Sequence, residues 1–291
     1  MDRLVSLGVP ARNEESAIEA TLESLVAQKL PSHTKLEVIV CVNASRDATA
    51  QVVRRIAARD PRIKLIETSR PGKPNAMNLI KRQARGGVLV FCDADTLAGK
   101  HAVAKLLEAL DARPELSAVG AVTKPLERRG RGLAEALASA HRKTHRRTHL
   151  IGSFLAVRTH LLPDYPTNVI NDDGWLSSVL GEGKYALIPG VEVHQAVATS
   201  LLDYFRQVIR WEAGRLQLHR WRGKAVPTTL GDFRKRLSYW RALRTDEKIA
   251  FPLILPVRVF ARVAARRALE RGEFTRGWNS PKRLTPRKPR K

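Results

Sequence analysis

Along the first 125 residues, short apolar runs alternate with stretches whose apolar positions recur every three or four residues. Residues 4–9, 36–42, 63–66 and 88–92 are the runs, the pattern of strands buried on both faces of a parallel sheet. Between and after them, Ile18, Leu22, Leu25 and Val26, then Val52, Val53 and Ile56, then residues 76–83, then Val103, Leu106, Leu107 and Leu110 keep helical spacing. This βαβα rhythm predicts an α/β fold, a mainly parallel sheet flanked by helices. Such sheets bind ligands at the carboxyl ends of their strands, so the polar residues at those ends carry the functional information.

From about residue 124 the rhythm breaks. A basic helical stretch over 128–147 is expected, then a short strand over 154–157 and helices around Trp175 and over 204–218. Beyond residue 223 the composition shifts to Arg and Lys with Pro; residues 231–291 hold 18 Lys/Arg against 5 Asp/Glu. The expected organisation is one domain over 1–222, with halves 1–123 and 124–222, and a basic helical C-terminal extension over 223–291 whose last dozen or so residues are disordered. No internal repeat is present.

Composition narrows the class. With 291 residues, 43% hydrophobic and 27% charged, the chain has ample material for a buried core and none of the sparseness of a disordered protein. Cys41 and Cys92 lie inside apolar runs and read as buried thiols rather than a bridge or a zinc site, which suits a reducing, cytoplasmic setting. The longest apolar candidate for a membrane span, residues 249–257, contains Pro252 and Pro256 and is about half the required length. The N-terminus lacks the apolar core and cleavage site of a signal peptide. A net charge of +24 calls for an anionic partner: phosphorylated substrates, an anionic membrane or nucleic acid.

Four groups of residues carry candidate chemistry. Asp93-Ala94-Asp95 closes an apolar strand; two carboxylates there can hold a hard divalent ion that grips a diphosphate, although an Asp turn would look the same. Asn171-Asp172-Asp173 precedes a helical pattern and reads as a helix cap with acidic first-turn residues, one of which is also able to serve as a general base. Gln207, Arg210 and Trp211 fall within about one helical turn and pair a guanidinium with an indole, suited to phosphate and a sugar ring or, equally, to core packing by the Trp. Gly72-Lys73 opens a helix and is placed to meet phosphate, but the glycine spacing of a P-loop is absent. No Gly-x-Gly-x-x-Gly follows the first strand, which argues against a nicotinamide dehydrogenase.

Taken in order, Val9-Pro10-Ala11-Arg12-Asn13-Glu14-Glu15, the run from Glu37 to Thr49, Gly72-Lys73 with Asn78, Asp93-Ala94-Asp95, Asp172-Asp173 and Gln207-x-x-Arg210-Trp211 resemble glycosyltransferase family 2 over roughly residues 3–222. The resemblance implies a GT-A (Rossmann-like) fold and inverting transfer from a nucleotide diphosphate sugar, with Mg²⁺ or Mn²⁺ as cofactor. The two halves of the domain then become a nucleotide-sugar half and an acceptor half. Carried onto this chain, Pro10, Ala11 and Glu14 line the nucleotide pocket, Asp95 holds the metal with Asp93 beside it, and Lys73 approaches the pyrophosphate. Asp173 matches the catalytic base. Gln207, Arg210 and Trp211 match the motif that binds the diphosphate and the acceptor end, while Gly152, Ser153 and Asp172 lie on the acceptor side. Two departures stand out. Where relatives often carry Asp-Asp-Gly-Ser, this chain has Val42-Asn43-Ala44-Ser45, leaving Asn43 as the residue able to hydrogen-bond a base edge. Relatives with the Gln-x-x-Arg-Trp motif usually bear transmembrane helices and secrete a polymer, so single-sugar transfer or assembly on a carrier is expected instead, with a glycan or lipid-linked acceptor in envelope polysaccharide or glycoconjugate synthesis.

Over residues 256–271 a helical wheel puts Val257, Phe260, Ala261, Ala264 and Ala268 on one arc with Arg258, Arg262, Arg267 and Arg271 beside it. That pattern fits a helix lying on an anionic membrane surface, hence a peripheral location on its inner face, and equally a helix covering the core. Two rival classes remain open at this level. A basic nucleic-acid-binding protein has charge in its favour, but no recognition signature is present and aromatics are not interleaved with the basic residues, so no specific nucleic acid is expected. A catalytically inactive scaffold is opposed by the joint presence of Asp95, Asp173, Arg210 and Trp211.

Overall fold

The four apolar runs are four adjacent parallel strands. The computed structural model describes residues 3–126, 132–144, 150–223 and 229–273. The chain runs β1 (Arg3–Ala11), α1 (Ile18–Val26), β2 (Thr34–Asn43), α2 (Thr49–Ala57), β3 (Ile63–Thr68), α3 (Lys73–Gln83), β4 (Val88–Cys92), β5 (Thr96–Ala98), α4 (Ala102–Asp111) and β6 (Ala118–Ala121). It continues through β7 (Lys124–Pro125), α5 (Leu133–Thr144), β8 (Phe154–Arg158), α6 (Asp172–Leu180), β9 (Tyr185–Ile188), β10 (Val193–Gln195), α7 (Leu201–Trp221), α8 (Thr229–Arg236), α9 (Thr245–Ala250) and α10 (Ile254–Glu270).

Seven strands form one sheet in the order β3-β2-β1-β4-β8-β6-β9. β8 runs antiparallel to both β4 and β6, and the other pairs are parallel. Period-two alternation along the strands fills both faces. Val5, Leu7, Val9, Val38 and Val40 pack with Ile18, Leu22 and Leu106 of α1 and α4. On the opposite face Ile39, Cys41, Leu89 and Phe91 pack with Met77 and Ile80 of α3. Both cysteines are free and buried, and burial pushes the Cys41 thiol up to about 12. A small second sheet, β5-β10-β7, covers the carboxyl end of β4. Its strands are two or three residues long and carry no periodic signal in the sequence.

A third apolar cluster joins Leu137 of α5 and Tyr204 and Val208 of α7 to Phe251, Ile254 and Ala261. The segment following residue 229 is therefore packed against α5 and α7. The residues of the arc expected on α10 differ in burial. Ala261 and Ala268 are buried along with Ile254 and Arg258, whereas Phe260 is 68% exposed. Glu212 of α7 accepts from Arg258 Nε at 2.9 Å and Nη2 at 2.7 Å and from Arg262 Nε at 3.0 Å, which holds these two arginines on the buried side of α10. The ends of the basic stretch expected over 128–147 and the last residues expected to be disordered lie outside the described residues. Among the described residues, no helix is long and apolar enough to cross a membrane.

Candidate active site

The carboxyl ends of β1, β2 and β4 share one edge because these strands are parallel and in register. At this edge the β1–α1 and β2–α2 loops interlock. Asn13 and Ala44 adopt positive φ, the Asn13 N–H donates to Ser45 Oγ at 3.0 Å, and the Glu14 N–H donates to Thr49 Oγ1 at 2.8 Å. Pro10, Ala11 and Glu14 stand here, with Pro10 two residues beyond Gly8, the partner of Phe91, and so alongside the start of Asp93-Ala94-Asp95. Asn43 has a different place from the one its sequence context suggests. It is buried, its Nδ2 donates to the Ala11 carbonyl at 2.9 Å, and its Oδ1 accepts from the Gly72 N–H at 3.1 Å. Its amide thus ties β1 to the start of α3. Gly72 has φ +125°, a conformation strained for any L side chain, and that turn aims Lys73 into the site.

Lys73 is the hub. Its ammonium lies 2.8 Å from Asp93 Oδ1 and 2.9 Å from Asp172 Oδ2, joining the end of β4 to the N-terminus of α6. Burial works against its charge, but Asp172 and Asp93 outweigh it and raise its pKa above the ordinary lysine value. Arg210 of α7 lies in the field of the same groups: burial lowers its pKa, while Asp172, Asp93, Asp173 and Asp95 all act to raise it. The approach of α7 is close because Gly214, one turn on from Arg210, faces Asn171. A Cβ on Gly214 would stand 2.7 Å from the Asn171 Cβ, so only glycine permits this contact.

Asn171 caps α6 by accepting from the Gly174 N–H at 3.1 Å. The cap and the acidic first turn thus both exist, and Asp173 is held further. Its Oδ2 accepts from the Gly152 N–H at 2.9 Å and its Oδ1 from the Gly174 N–H at 2.7 Å. Ser153 shares its hydroxyl with Thr123 at 2.6 Å, and its carbonyl accepts from the Asp93 N–H at 3.0 Å. The antiparallel β8 brings Gly152 and Ser153 to this edge, since Phe154 at its start pairs with Cys92 at the end of β4.

Asp95 sits next to Asp93, and Gln195 of β10 spans them. Its Nε2 donates to Asp95 Oδ1 at 2.8 Å and to Asp93 Oδ2 at 3.3 Å, while Arg142 of α5 donates to its Oε1 at 2.7 Å. Burial and the neighbouring Asp93 push the Asp95 carboxyl up to about 6, against the opposing pull of Gln195 and Arg142. Two crowded carboxylates offering hard oxygen donors fit a divalent cation, which would relieve their repulsion. Among the described residues no three His, Cys, Asp or Glu side chains converge as a closed metal cage. Gln195 and Arg142 were not legible in the sequence, where one is a neutral residue on a three-residue strand and the other part of a basic run.

Of the residues expected at the site, Lys73, Asp93, Asp95, Gly152, Ser153, Asp172, Asp173 and Arg210 come together. Gln207 and Trp211 lie on the same helix as Arg210, but Trp211 packs edge-on against His141 of α5, with ring centres 5.1 Å apart. Two surface clefts, of about 550 and 610 Å³, lie at Leu237–Arg241 and around His101, away from these carboxylates.

Residues 6–160 match the family described as Glycosyl transferase family 2. The probable glycosyltransferase YdaM of Bacillus subtilis is 35% identical over 103 residues, which make up 34% of this chain and 24% of that protein. Chondroitin synthase of Escherichia coli is 29% identical over 127 residues, 44% of this chain and 18% of that protein. The matched part is thus under a third of either relative's length. Among solved structures, the mannosyltransferase PcManGT from Pyrobaculum calidifontis in complex with GDP-Man and Mn²⁺ superposes with a TM-score of 0.60 at 25% identity, covering 92% of this chain and 79% of that one. Glucosyl-3-phosphoglycerate synthase from Mycobacterium tuberculosis, in complex with Mn²⁺, UDP-glucose and phosphoglyceric acid, shares the fold with a TM-score of 0.54 at 21% identity, covering 77% of this chain and 81% of that one.

Proposed function

The chain belongs to glycosyl transferase family 2 and has the GT-A fold, and from that premise we propose inverting transfer of a sugar from a nucleotide diphosphate sugar to an acceptor hydroxyl. The observation that carries this reading is the meeting of Asp93, Asp95, Asp172 and Asp173 with Lys73 and Arg210 at the carboxyl edge of the sheet. A chain with so few acids gathers four there, and its two cations stand where a diphosphate would arrive.

Pro10, Ala11 and Glu14 flank the nucleoside side, with Asn43 holding the loops that shape it. Asp95 and Asp93 would hold Mg²⁺ or Mn²⁺, which when bound neutralises charge on the leaving diphosphate. Lys73 and Arg210 add fixed positive charge there, with Gln207 one turn before Arg210 offering a neutral amide donor, in a site whose donors need no reorganisation as charge develops. Asp173, oriented by the Gly152 and Gly174 N–H groups, accepts the acceptor's hydroxyl proton as the new C–O bond forms opposite the breaking bond to the diphosphate. Attack from the opposite face inverts the anomeric carbon. Gly152, Ser153 and Asp172 form the acceptor side, with Trp211 packed behind them on His141, for a glycan or lipid-linked acceptor met on the cytoplasmic face of an envelope membrane.

Calorimetry and thermal shift with UDP, GDP and dTDP, each with and without Mn²⁺, test the reading on the wild type and on Asp95→Ala. Ligand binding to the folded state raises apparent stability by mass action. The expected result is metal-dependent stabilisation by one nucleotide, lost in Asp95→Ala. Equal, weak, salt-sensitive binding of all three overturns it and favours a general polyanion binder.

A further inference from the structure

The outward face of the C-terminal helices is an apolar ridge ending in arginines. Ile249 is 72% and Phe260 68% exposed, and Leu253, Val259 and Val263 are each more than two-fifths exposed. From Leu253, just before α10, through Val259, Phe260 and Val263 the exposed positions follow the three- and four-residue spacing of a single helix face, and Arg266 and Arg267 continue it, both exposed. Residues 248–269 contain no Asp or Glu. The opposite face is committed: Ile254, Arg258, Ala261 and Ala265 are buried, with Arg258 and Arg262 on Glu212 of α7. At the start of the ridge the Trp240 ring packs on Phe251, 5.4 Å between centres, and remains 37% exposed.

We infer that this ridge is a docking surface for an anionic lipid bilayer, with Ile249, Leu253 and Phe260 entering the acyl boundary and Arg266 and Arg267 meeting the headgroups. Large apolar side chains in a continuous exposed row mark an interaction surface. Charge complementarity selects the occupant. A second copy would bring another +24 chain against this one. A nucleic acid would satisfy the arginines and leave Phe260 and Ile249 in water. An anionic bilayer takes both halves of the ridge: apolar side chains below the headgroups, cations among them, and an indole at the interface. This face lies on the far side of α10 from α7, the helix that carries Arg210, so docking fixes the active-site helix relative to the membrane. The proposal rests on the reading above only for its purpose, delivery of the enzyme to a membrane-borne acceptor.

The test uses the full chain with sedimenting vesicles of phosphatidylcholine alone or mixed with phosphatidylglycerol. The wild type is expected to sediment with the anionic vesicles and to stay partly bound at high salt. Ile249→Ser with Phe260→Ser should weaken that binding about tenfold or more and leave the remainder fully salt-sensitive, with the thermal midpoint and nucleotide binding unchanged. Arg266→Gln with Arg267→Gln should remove the preference for phosphatidylglycerol. Because Cys41 and Cys92 are buried, a polarity-sensitive dye on Phe260→Cys reports insertion directly, and its emission should shift to the blue on anionic vesicles. The proposal is overturned if the wild type ignores vesicles, if the dye does not shift, or if the serine pair binds as wild type, which would assign binding to the seven Lys/Arg of residues 274–291. Light scattering that shows a dimer split by Phe260→Ser would overturn it too, by giving the ridge to a second copy. Vesicle binding is read without donor and nucleotide binding without vesicles, so each reading can fail alone.

Discussion

The Lys73 ammonium lies 2.9 Å from the Asp172 carboxylate, and this ion pair links the turn that opens α3 to the helix that carries Asp173. Removing it leaves Asp93 and Asp172 close together with Arg210 alone to offset their repulsion from α7. Breaking a buried pair typically costs about 3–5 kcal/mol, and the partial exposure of both partners brings the expectation here toward the low end. Lys73→Met is therefore expected to lower the thermal midpoint and to weaken nucleotide binding at least about tenfold, while Lys73→Arg recovers part of both. Nucleotide binding by Lys73→Met at wild-type strength would exclude Lys73 from the diphosphate site.

Asp173→Asn keeps an acceptor oxygen for the Gly152 or Gly174 N–H but loses the proton acceptor. General-base catalysis contributes roughly 10²–10⁴-fold, so turnover should fall by about that factor while nucleotide affinity changes little. Single-turnover measurement on the variant separates chemistry from binding. Wild-type turnover would remove Asp173 from the base role.

Glu212 receives three guanidiniums, those of Arg215, Arg258 and Arg262, in a position only 3% exposed. Glu212→Ala strands that positive charge between α7 and α10. A loss on the order of 3–5 kcal/mol corresponds to roughly 10 °C in thermal midpoint for a chain of this size. Combining it with Arg258→Met should cost less than the sum of the two single changes, and strict additivity would argue against the clamp.

Acid should weaken the fold through Glu37. Burial pushes its carboxyl up, but the Arg85 N–H and the side chains of Lys64, Ser6 and Arg85 outweigh burial and leave it at about 2, down from 4.5. A carboxyl depressed in the folded state stabilises above its unfolded value, and that contribution is lost as pH falls from about 4.5 toward 2. The shift sets a ceiling of about 3 kcal/mol; with Lys64 44% and Arg85 65% exposed, screening reduces the expectation to about 1–2 kcal/mol. Urea midpoints measured across that window should fall less steeply for Glu37→Gln than for the wild type.

The parallel strands were legible because a strand buried on both faces must be apolar throughout, as residues 88–92 are, and Asp93 and Asp95 were legible as the first polar break after such a run. β6, β9 and β10 were not, because four residues or fewer carry too little periodicity and their pairing is set by contacts distant in sequence. Gln195 reaches Asp95 across that distance with an uncharged side chain, which no pattern of charges reveals. On α10 hydropathy does not sort the arginines: Arg258 and Arg262 turn inward onto Glu212 of the neighbouring helix, a pairing no hydropathy pattern reveals, while Arg266 and Arg267 stay exposed.

Within the seven-stranded sheet, the reversal of β8 has a structural consequence at the rim. In an all-parallel sheet, the functional rim is built only from segments that leave strands. Here the segment entering β8, with Gly152 and Ser153, shares the rim with Asp93 as the chain leaves β4. The segment carrying Asp93 and the segment carrying Gly152 and Ser153 therefore hang from the same end of one hydrogen-bonded strand pair, so a slip of register between β4 and β8 would displace both at once.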